Sequence, residues 1–288
     1  MKIGIIGGSG LYNIEGFSDP KWVKIETPFG DPSDEYLTGS LEGREIVFLP
    51  RHGRGHKITP TELNFRANIY GMKKLGVDSI ISVAAVGSFK KELKPLHMIV
   101  PDQFVDRTNQ ARKTTFFGDG VVVHIPFAHP VCDCLAKILY DSGKEAGATM
   151  HLGGTYLNME GPAFSTKAES LLYKSWGMDI IGMTNMAEAR LAREAEICYA
   201  TLAMVTDYDC WCEGEEIGSV TIDIIIDNLR RNAQRAKDII KKAVPKIKDD
   251  RPCACRQTLK YSIITESRFI PQETKKKLDI IIGKYIKK

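Results

Sequence analysis

The chain has 288 residues, of which 43% are hydrophobic, and its 40 basic and 36 acidic side chains leave a formal net charge of +4 at neutral pH. So balanced a charge argues against a nucleic-acid-binding protein, and no apolar run approaches the roughly 20 residues that a membrane-spanning helix needs. Met1 leads directly into an apolar strand rather than into a signal peptide, so we expect a cytoplasmic protein.

Short apolar strands alternate with helical patterns along the chain. The predicted strands cover residues 2–7, 22–26, 45–49, 79–83, 98–100, 153–157, 179–181 and 199–205. The predicted helices cover residues 60–75, 221–244 and 272–286, and two more begin at Cys132 and near Asn185. For the helix over 60–75, Thr59 is the expected N-cap and Glu62 closes a capping box. This alternation predicts an α/β fold with a mixed, mostly parallel central sheet flanked by helices. We expect one domain over 1–288, with a C-terminal tail at about 250–288.

Two loops that follow predicted strands carry groups suited to an anion. GIIGGSGLYN, at 4–13, offers backbone N–H groups and the Ser9 hydroxyl, although a purely structural turn is the alternative. A dinucleotide-binding fingerprint is disfavoured there, because its third glycine is missing. LPRHGRGHKITP, at 49–60, presents Arg51 and His52 among glycines. These donors suit phosphate oxygens, and a solvated basic loop is the alternative.

Further candidate ligand contacts lie at three other strand ends and in one turn. In an open α/β sheet, ligands bind beyond the carboxyl ends of the strands. Two acids at one such end and a Met–Thr pair at another predict a pocket for a molecule that donates hydrogen bonds. The turn EGPAFST carries an aromatic side chain that suits a base or a sugar, although Phe is also common in cores. The residues in question are Ala85, Phe164, Met183, Thr184, Asp207 and Asp209.

Six of the seven cysteines form three Cys-x-Cys pairs, at 132/134, 210/212 and 253/255. Stabilising disulfides, plain thiols and a metal site are all open at this point. Zinc usually spaces its cysteines as Cys-x₂₋₄-Cys, so His124 and His129 beside the first pair do not lead us to predict a metal. The composition, rich in charged residues and Ile, favours a thermostable protein. We therefore expect Cys253 and Cys255 to be oxidised and to contribute heat resistance.

Seven motifs in order, GIIGGSGL, TPFGDPSD, PRHGRGH, SVAAVGS, EGPAFST, GMT and ATLAMVTDYDCW, closely resemble those of the 5′-methylthioadenosine phosphorylases. These enzymes belong to the trimeric branch of the purine nucleoside phosphorylase family, and the resemblance runs from residue 2 to about residue 245. It implies a purine nucleoside phosphorylase-like fold and the reversible phosphorolysis of 5′-methylthioadenosine to adenine and 5-methylthioribose 1-phosphate. Inorganic phosphate is then a co-substrate, and no cofactor is expected.

The resemblance also assigns residues by role. It implies phosphate contacts at Ser9, Arg51, His52, Ala85 and Thr184, a ribose contact at Met183, and a base- and ribose-facing aromatic at Phe164. It implies adenine contacts at Asp207 and Asp209, an apolar contact with the 5′ substituent at Val220, and a 5′-pocket contact to a neighbouring subunit at His124. A homotrimer with shared sites follows, and pairing of trimers into hexamers stays open. Ala84 departs from the pattern, since many relatives carry Thr or Ser there.

The chemistry of the reaction agrees with these residue types. Cleavage of the glycosidic bond leaves negative charge on the purine, so a proton is needed near N7, and an aspartic acid whose pKa is raised by burial can supply it. We assign that role to Asp207, with Asp209 positioning it and accepting from the 6-amino group. One alternative is a 6-oxopurine nucleoside or 5′-methylthioinosine phosphorylase, although a carboxylate would there face a second acceptor. A nucleoside-binding module without catalysis is the other.

Overall fold

The structure is a computed structural model that describes residues 2–8, 10–11, 13–109, 111–212, 222–249 and 253–286. Ser9 and Val220 lie outside the described residues, so their predicted contacts stay predictions. The strands are β1 Lys2–Gly7, β2 Ser18–Val23, β3 Tyr36–Leu41, β4 Arg44–Pro50, β5 Val77–Ser88, β6 Met98–Val100, β7 Gln103–Arg107, β8 Met150–Leu152, β9 Thr155–Met159, β10 Ile180–Gly182 and β11 Cys198–Asp207. The α-helices are α1 Phe65–Lys74, α2 Asp133–Glu145, α3 Lys167–Ser175, α4 Asn185–Glu194, α5 Ile222–Ala243, α6 Gln272–Lys277 and α7 Asp279–Ile286.

The eleven strands of the described residues form one mixed sheet, and β5 is the strand at which that sheet divides. The main path runs β2-β3-β4-β1-β5-β10-β9-β7, while β11 also pairs with β5 and continues to β6 and β8. β5 is parallel to β1 and β11 and antiparallel to β10. The expected mixed, mostly parallel sheet is therefore confirmed. β1 pairs with β5 as far as Ser82, and β10 pairs with it from Gly87, both on the edge opposite β11, so a crevice opens along this edge between the ends of β1 and β10.

A register shift positions the first acid of that crevice. β11 stays in register with β5 as far as Val205, and the shift then brings Asp207 opposite Gly87. Such irregularities bend a strand and re-aim its side chains, and they are common beside active sites. The sequence TDYD thus leaves the strand with its carboxyl groups directed at the crevice.

Helices cover both faces of the sheet, as predicted. On one face, α2 and α5 pack on apolar side chains of β1, β4 and β11. The C-terminal half of α5 shows why: Ala236, Ile239, Ile240 and Ala243 recur at helical spacing, and each is 0% exposed. The other face packs against α1, α4 and α7. The C-terminal tail therefore belongs to the same domain, since α7 contributes to this second core.

The predicted start of the first helix was wrong. Glu62 does accept hydrogen bonds from the Thr59 backbone N–H and hydroxyl, but the two residues close an isolated turn. The helix begins at Phe65, because the Asn64 side chain caps it by accepting from the Ala67 N–H. A capping-box pattern thus occurs here one turn before the helix itself.

Other boundaries differ by smaller amounts. The strand predicted at 22–26 lies at Ser18–Val23, and the long β5 extends well beyond the predicted 79–83. Sequence patterns missed the short strands β3, β7 and β8. The helix predicted over 272–286 is divided at Leu278 into α6 and α7. In the described part of the chain, no helix combines the length and the apolar character that crossing a membrane requires.

The arrangement of the cysteines differs from the expectation. All seven lie in the described part of the chain, and the structure joins none of them in a disulfide, so the Cys253–Cys255 bond is not found. Instead, Cys253 and Cys255 meet Cys132 and Cys198, whose thiols come from distant parts of the sequence. Three members of this group belong to Cys-x-Cys pairs, whereas Cys198 does not, and the spacing gave no indication that these parts of the chain meet.

Candidate active site

A cavity of about 630 Å³ opens at the carboxyl ends of β1, β4, β5, β10 and β11. This is the position at which open α/β sheets bind ligands. Its lining includes eight of the residues predicted from sequence, namely Arg51, His52, Ala85, Phe164, Met183, Thr184, Asp207 and Asp209. Segments separated by more than 150 residues therefore meet around one space, as the motif analysis expected.

Arg51 is held at one end of the cavity by a buried ion pair. Its Nε lies 2.5 Å from Glu188 Oε1 and its Nη2 lies 3.2 Å from Glu188 Oε2, and both side chains are almost fully buried. Nη1 also donates to the Val83 carbonyl, and Nη2 donates to Ser82 Oγ. Most of the guanidinium donors are thus engaged within the protein. Arg51 brings a fixed positive charge to the cavity wall and has at most one Nη1 hydrogen left for a ligand among these contacts.

His52 lies beside Arg51 and is held in its neutral form. Burial and the neighbouring Arg51 charge lower the pKa of His52 to about 4. Its Nδ1 donates to the Ile58 carbonyl at 2.8 Å, which leaves Nε2 as an acceptor. The ring also stacks on His56 at a centroid distance of 4.4 Å. At neutral pH, His52 therefore offers a lone pair, whereas the sequence had indicated a further donor.

The beginning of α4 faces the same end of the cavity. Thr184 is the N-cap, is 5% exposed and makes no side-chain capping bond. Backbone N–H groups at a helix start are unpaired within the helix and attract anions. Gly8 and Gly10 of the glycine-rich turn line the cavity opposite. Two backbone elements and the Arg51 charge thus surround a space suited to an anion.

Asp207 and Asp209 form the opposite end of the cavity. Burial raises the pKa of Asp207, while the Thr206 hydroxyl and the Asp209 N–H donate to its two oxygens and oppose that shift. Burial likewise raises the pKa of Asp209, to about 6, and the Ser170 hydroxyl donates to Asp209 Oδ2. No cation pairs with either carboxyl in the described contacts. Burial therefore favours the protonated form of both carboxyl groups.

A second buried arginine connects two segments that border the cavity. Arg112 is 7% exposed, and its Nε donates to Glu160 Oε1 at 3.0 Å. Its two Nη groups donate to the carbonyls of Glu160 and Met183, which fixes the turn before Phe164 against the strand end at Met183. Phe164 itself is 66% exposed and stands at the cavity mouth. The aromatic is thus placed to cover a ligand rather than to fill the core.

The N-terminal half of α5 closes the remaining side. Asn228 and Asn232 donate to the carbonyls of Thr206 and Val205, which anchors α5 to the end of β11. Ile225 and Leu229 line the cavity as an apolar wall. Leu229 is 38% exposed, in contrast to the buried face of the same helix further along. This wall offers apolar surface for a ligand.

His124 does not line this cavity within one chain. Its N–H donates to the Ser262 carbonyl at 2.9 Å, and its side chain borders a separate depression beside Cys253. Its expected role concerns a neighbouring subunit, so that role stays a prediction.

Sequence reasoning missed three residues that support the site from behind its lining: Arg112, Asn185 and Glu188. Glu188 also accepts from Ser82 Oγ and from the Tyr199 hydroxyl, and the Asn185 amide bridges Ser82 and Thr201. These polar side chains lie on the buried face of α4, among the apolar residues that predicted it. A polar side chain at a core position of a predicted helix is the signal that could have identified Asn185 and Glu188.

Comparison with known proteins agrees with this geometry. The family model that describes the phosphorylase superfamily matches residues 2–245 of this sequence. The S-methyl-5′-thioadenosine phosphorylase of Geobacter sulfurreducens is 59% identical over 99% of this chain and 99% of its own length. That of Koribacter versatilis is 56% identical over 99% and 96% of the two chains.

Solved structures show the same fold. A methylthioadenosine phosphorylase from an Antarctic soil metagenomic library has a TM-score of 0.92 and 48% identity, covering 97% of this chain and 98% of its own. The Schistosoma mansoni methylthioadenosine phosphorylase in complex with adenine has a TM-score of 0.85 and 34% identity, covering 92% of this chain and 99% of its own. This chain therefore belongs to the phosphorylase superfamily, among the S-methyl-5′-thioadenosine phosphorylases that it matches along its full length.

Proposed function

We propose that the protein catalyses the phosphorolysis of S-methyl-5′-thioadenosine to adenine and 5-methylthioribose 1-phosphate, and that it serves purine and methionine salvage. The observation that carries this proposal is the division of one cavity into two ends. An anion-attracting end contains Arg51 and the start of α4, and a protonatable end contains Asp207 and Asp209. The named functions of the relatives support the same reaction.

The two ends suit the two charges that the reaction develops. A phosphate oxygen attacks C1′ of the ribose, and the bond from C1′ to N9 breaks with its electron pair going to the purine. Asp207 gives a proton to N7 as that charge develops, and the phosphate dianion stabilises the positive charge on the sugar. The proton that the newly bound phosphate releases restores the carboxylic acid. His52 Nε2, an acceptor in this tautomer, can accept from the phosphate O–H.

The carboxyl groups also select the base. Adenine offers a 6-amino donor, which a carboxylate can accept, whereas a 6-oxo group would leave two acceptors facing each other. Burial makes such a mismatch costly, since unpaired polar groups in a closed site discriminate sharply. We assign Asp209 to position Asp207 and to accept from the 6-amino group. The apolar α5 wall and Val220 are the proposed surroundings of the 5′-methylthio group.

A substrate comparison tests the proposed reaction. Purified protein is incubated with methylthioadenosine, adenosine or inosine, each with and without inorganic phosphate, and base release is followed by chromatography. We expect adenine only when phosphate is present, the highest kcat/KM for methylthioadenosine, and little hypoxanthine. Inosine cleaved as well as methylthioadenosine would favour the 6-oxopurine alternative. No turnover of any nucleoside would indicate a binding module.

We further propose that the active protein is a homotrimer in which His124 completes the 5′ pocket of a neighbouring subunit. Support comes from the segment that carries His124, which pairs with residues 262–264. Around it, Val122 is 49%, Ile264 60% and Tyr261 86% exposed in the single chain. Large apolar side chains grouped in this way indicate a surface covered by another protein.

Subunit complementation tests this arrangement. We expect light scattering to give three chains, or six if trimers pair. His124→Ala and Asp207→Asn variants should each lose activity, and mixing them under reversible dissociation should restore part of it, because some sites receive both intact residues. A monomer with full activity would contradict the shared site.

The remaining features follow from the same proposal. Phosphate is a co-substrate, and the chemistry assigned to Asp207 requires no cofactor. We place the enzyme in the cytoplasm, where nucleosides and inorganic phosphate are both available, and we expect it to resist heat. Fractionation of the native cells and a heat-inactivation time course measure these two properties.

A further inference from the structure

Four cysteines that the proposed reaction does not use lie together at the far side of the molecule. The Sγ atoms of Cys132, Cys198, Cys253 and Cys255 all lie within 4.8 Å of one another. Cys132, Cys198 and Cys255 are buried, with 2%, 0% and 5% of their surface exposed, and Cys253 is half-buried. We refer to these four residues as the cysteine cluster.

The spacing of the sulfur atoms is close to that around one tetrahedral ion, with two separations somewhat shorter. Zinc–thiolate bonds of about 2.3 Å give sulfur–sulfur separations of about 3.8 Å in a regular tetrahedron. Within the cluster, Cys253 Sγ lies 3.4 Å from Cys132 Sγ and 3.3 Å from Cys198 Sγ. A disulfide needs about 2.0 Å. One thiol, Cys253, is thus equally close to two partners, which favours a shared centre over a single pairing.

The elements that carry the four thiols are rigidly placed. Cys132 is the N-cap of α2, and its N–H donates to the Tyr199 carbonyl of β11 at 2.8 Å. Cys198 is the first residue of β11. Cys253 has extended backbone and precedes a 3₁₀ helix over Ala254–Tyr261, which contains Cys255. The cluster therefore combines a helix start, a strand start and the C-terminal tail.

The surroundings suit an anionic metal centre. Four thiolates and one divalent cation carry a net charge of −2, which needs nearby positive charge. Arg193 is 9% exposed and borders the same depression as Cys253, and the positive end of α2 lies at Cys132. Four sulfur ligands leave no position open for a substrate, so the centre suits a structural role. Tetrahedral all-sulfur sites are typical of zinc and of iron–sulfur centres, and a closed site with a structural role favours zinc.

From this geometry we propose that the cysteine cluster binds one structural zinc ion. The ion fastens the C-terminal tail to α2 and β11. The tail in turn holds the His124 segment, because the His124 N–H donates to the Ser262 carbonyl and Ile264 N–H donates to the Val122 carbonyl. This inference concerns a site distinct from the cavity and does not depend on the proposed reaction.

Metal analysis of the protein tests the proposal. The full chain is produced with zinc in the medium, purified with a reducing agent, desalted and measured by mass spectrometry for metal and for thiols protected from alkylation. We expect about one zinc ion per chain, as four-coordinate sites require. The cobalt(II)-substituted protein should show the visible absorption of tetrahedral thiolate coordination.

Matched variants locate the ion. Cys132→Ser and Cys198→Ser should lose most of the zinc, whereas Cys134→Ser, which alters the same helix two residues from Cys132 but is outside the cluster, should retain it. A chelator should lower the melting temperature of wild type and of Cys134→Ser alike. If a cluster variant fails to fold, the metal content of wild type still decides. Wild type without metal overturns the proposal, whether its cluster thiols are recovered free or in disulfides.

Discussion

The two ends of the active-site cavity solve opposite electrostatic problems. At the anion end, Arg51 and Glu188 form a buried ion pair at 2.5 Å, which keeps both side chains charged. At the other end, Asp207 and Asp209 are buried, no cation pairs with them among the described residues, and burial raises the pKa of both. The anion end therefore keeps its charges, whereas the carboxyl groups at the other end can gain or lose a proton. The difference lies in the partners of each side chain, because burial is common to both.

The largest expected effect comes from a substitution at the protonatable end of the cavity. Asp207→Asn keeps the shape of the side chain but removes its acidic proton, so kcat for adenine release should fall by about 10²–10⁴-fold. Residual turnover should shift toward inosine. Asp209→Asn is the matched comparison and should lose less if its role is positioning. Steady-state kinetics with both nucleosides measure this, and an Asp207→Asn variant with full adenine-releasing activity would refute the assignment.

The second substitution removes the fixed positive charge at the anion end of the cavity. Arg51→Ala removes the charge at the proposed phosphate site and should raise the phosphate KM at least tenfold, since a charged hydrogen bond contributes roughly 1.5–3 kcal/mol. It also leaves Glu188 buried and unpaired, which should lower the free energy of unfolding by about 3–5 kcal/mol.

The control for Arg51 lies in the same loop. Arg54 is 45% exposed and pairs with Asp34, away from Glu188. Arg54→Ala should leave both the phosphate KM and the denaturation midpoint nearly unchanged. Equal effects of the two substitutions would show that general loop charge, and not the buried pair, serves the anion.

The pH dependence of stability sharpens the comparison. Burial raises the pKa of Asp209 to about 6, above the ordinary value of 3.8, so the folded chain holds this proton more tightly than the unfolded chain. The stabilisation from this carboxyl is fully present below about pH 4 and is lost as the pH rises through about 6, by about 3 kcal/mol in total. Asp209→Asn should therefore be more stable relative to wild type at pH 8 than at pH 5. Burial also raises the pKa of Glu194, to about 7, but this group contributes equally to the pH dependence of wild type and of Asp209→Asn. A melting-temperature difference independent of pH would contradict the raised pKa.

The smallest expected effects come from single added atoms on β5. A Cβ at Gly87 would lie 3.0 Å from Asp207 Oδ1 and 3.1 Å from the Ile181 side chain. Gly87→Ala should displace the carboxyl by a few tenths of an ångström and lower kcat by about tenfold, because small misplacements of reacting groups are costly. Ala84→Ser, three residues earlier on the same strand, adds a hydroxyl at the anion end and should lower only the phosphate KM. Parallel kinetics on both variants decide whether the two ends respond separately.

The sequence predicted the site better than the contacts within it. Asp207, Asp209, Thr184 and Arg51 were identified because each follows a recognisable strand, and strand ends of an α/β sheet converge. Glu188 was not identified, because nothing local to α4 distinguishes a buried partner of Arg51 from an exposed acid 137 residues away in sequence. The structure also changes the expected role of His52 from hydrogen-bond donor to acceptor. The hydrogen bond to the Ile58 carbonyl, which sequence patterns do not show, places the proton on Nδ1 and leaves Nε2 as the acceptor.

The fold shows the same limit. Helical periodicity located α2, α4 and α5, whereas Cys198 gave no indication of its proximity to Cys253, since that pairing depends on how the C-terminal tail returns to the start of β11. Short edge strands such as β8 carry too few residues for a period of two to be recognised. Sequence patterns identify helices and strands, whereas the contacts between them are seen only in the folded chain.

The division of the sheet at β5 has a consequence for how substrate choice can change. Ser82, which bonds Glu188, and Gly87, which faces Asp207, lie on this one strand, about 16 Å apart at the usual rise per residue. β1, β10 and β11 all hydrogen-bond to it, so the strand cannot lengthen or bend without disrupting three neighbours. The separation between the proposed anion and base sites is therefore a property of the backbone. Side-chain substitutions can alter the preferred base or 5′ group, but a ligand of different length requires a different sheet.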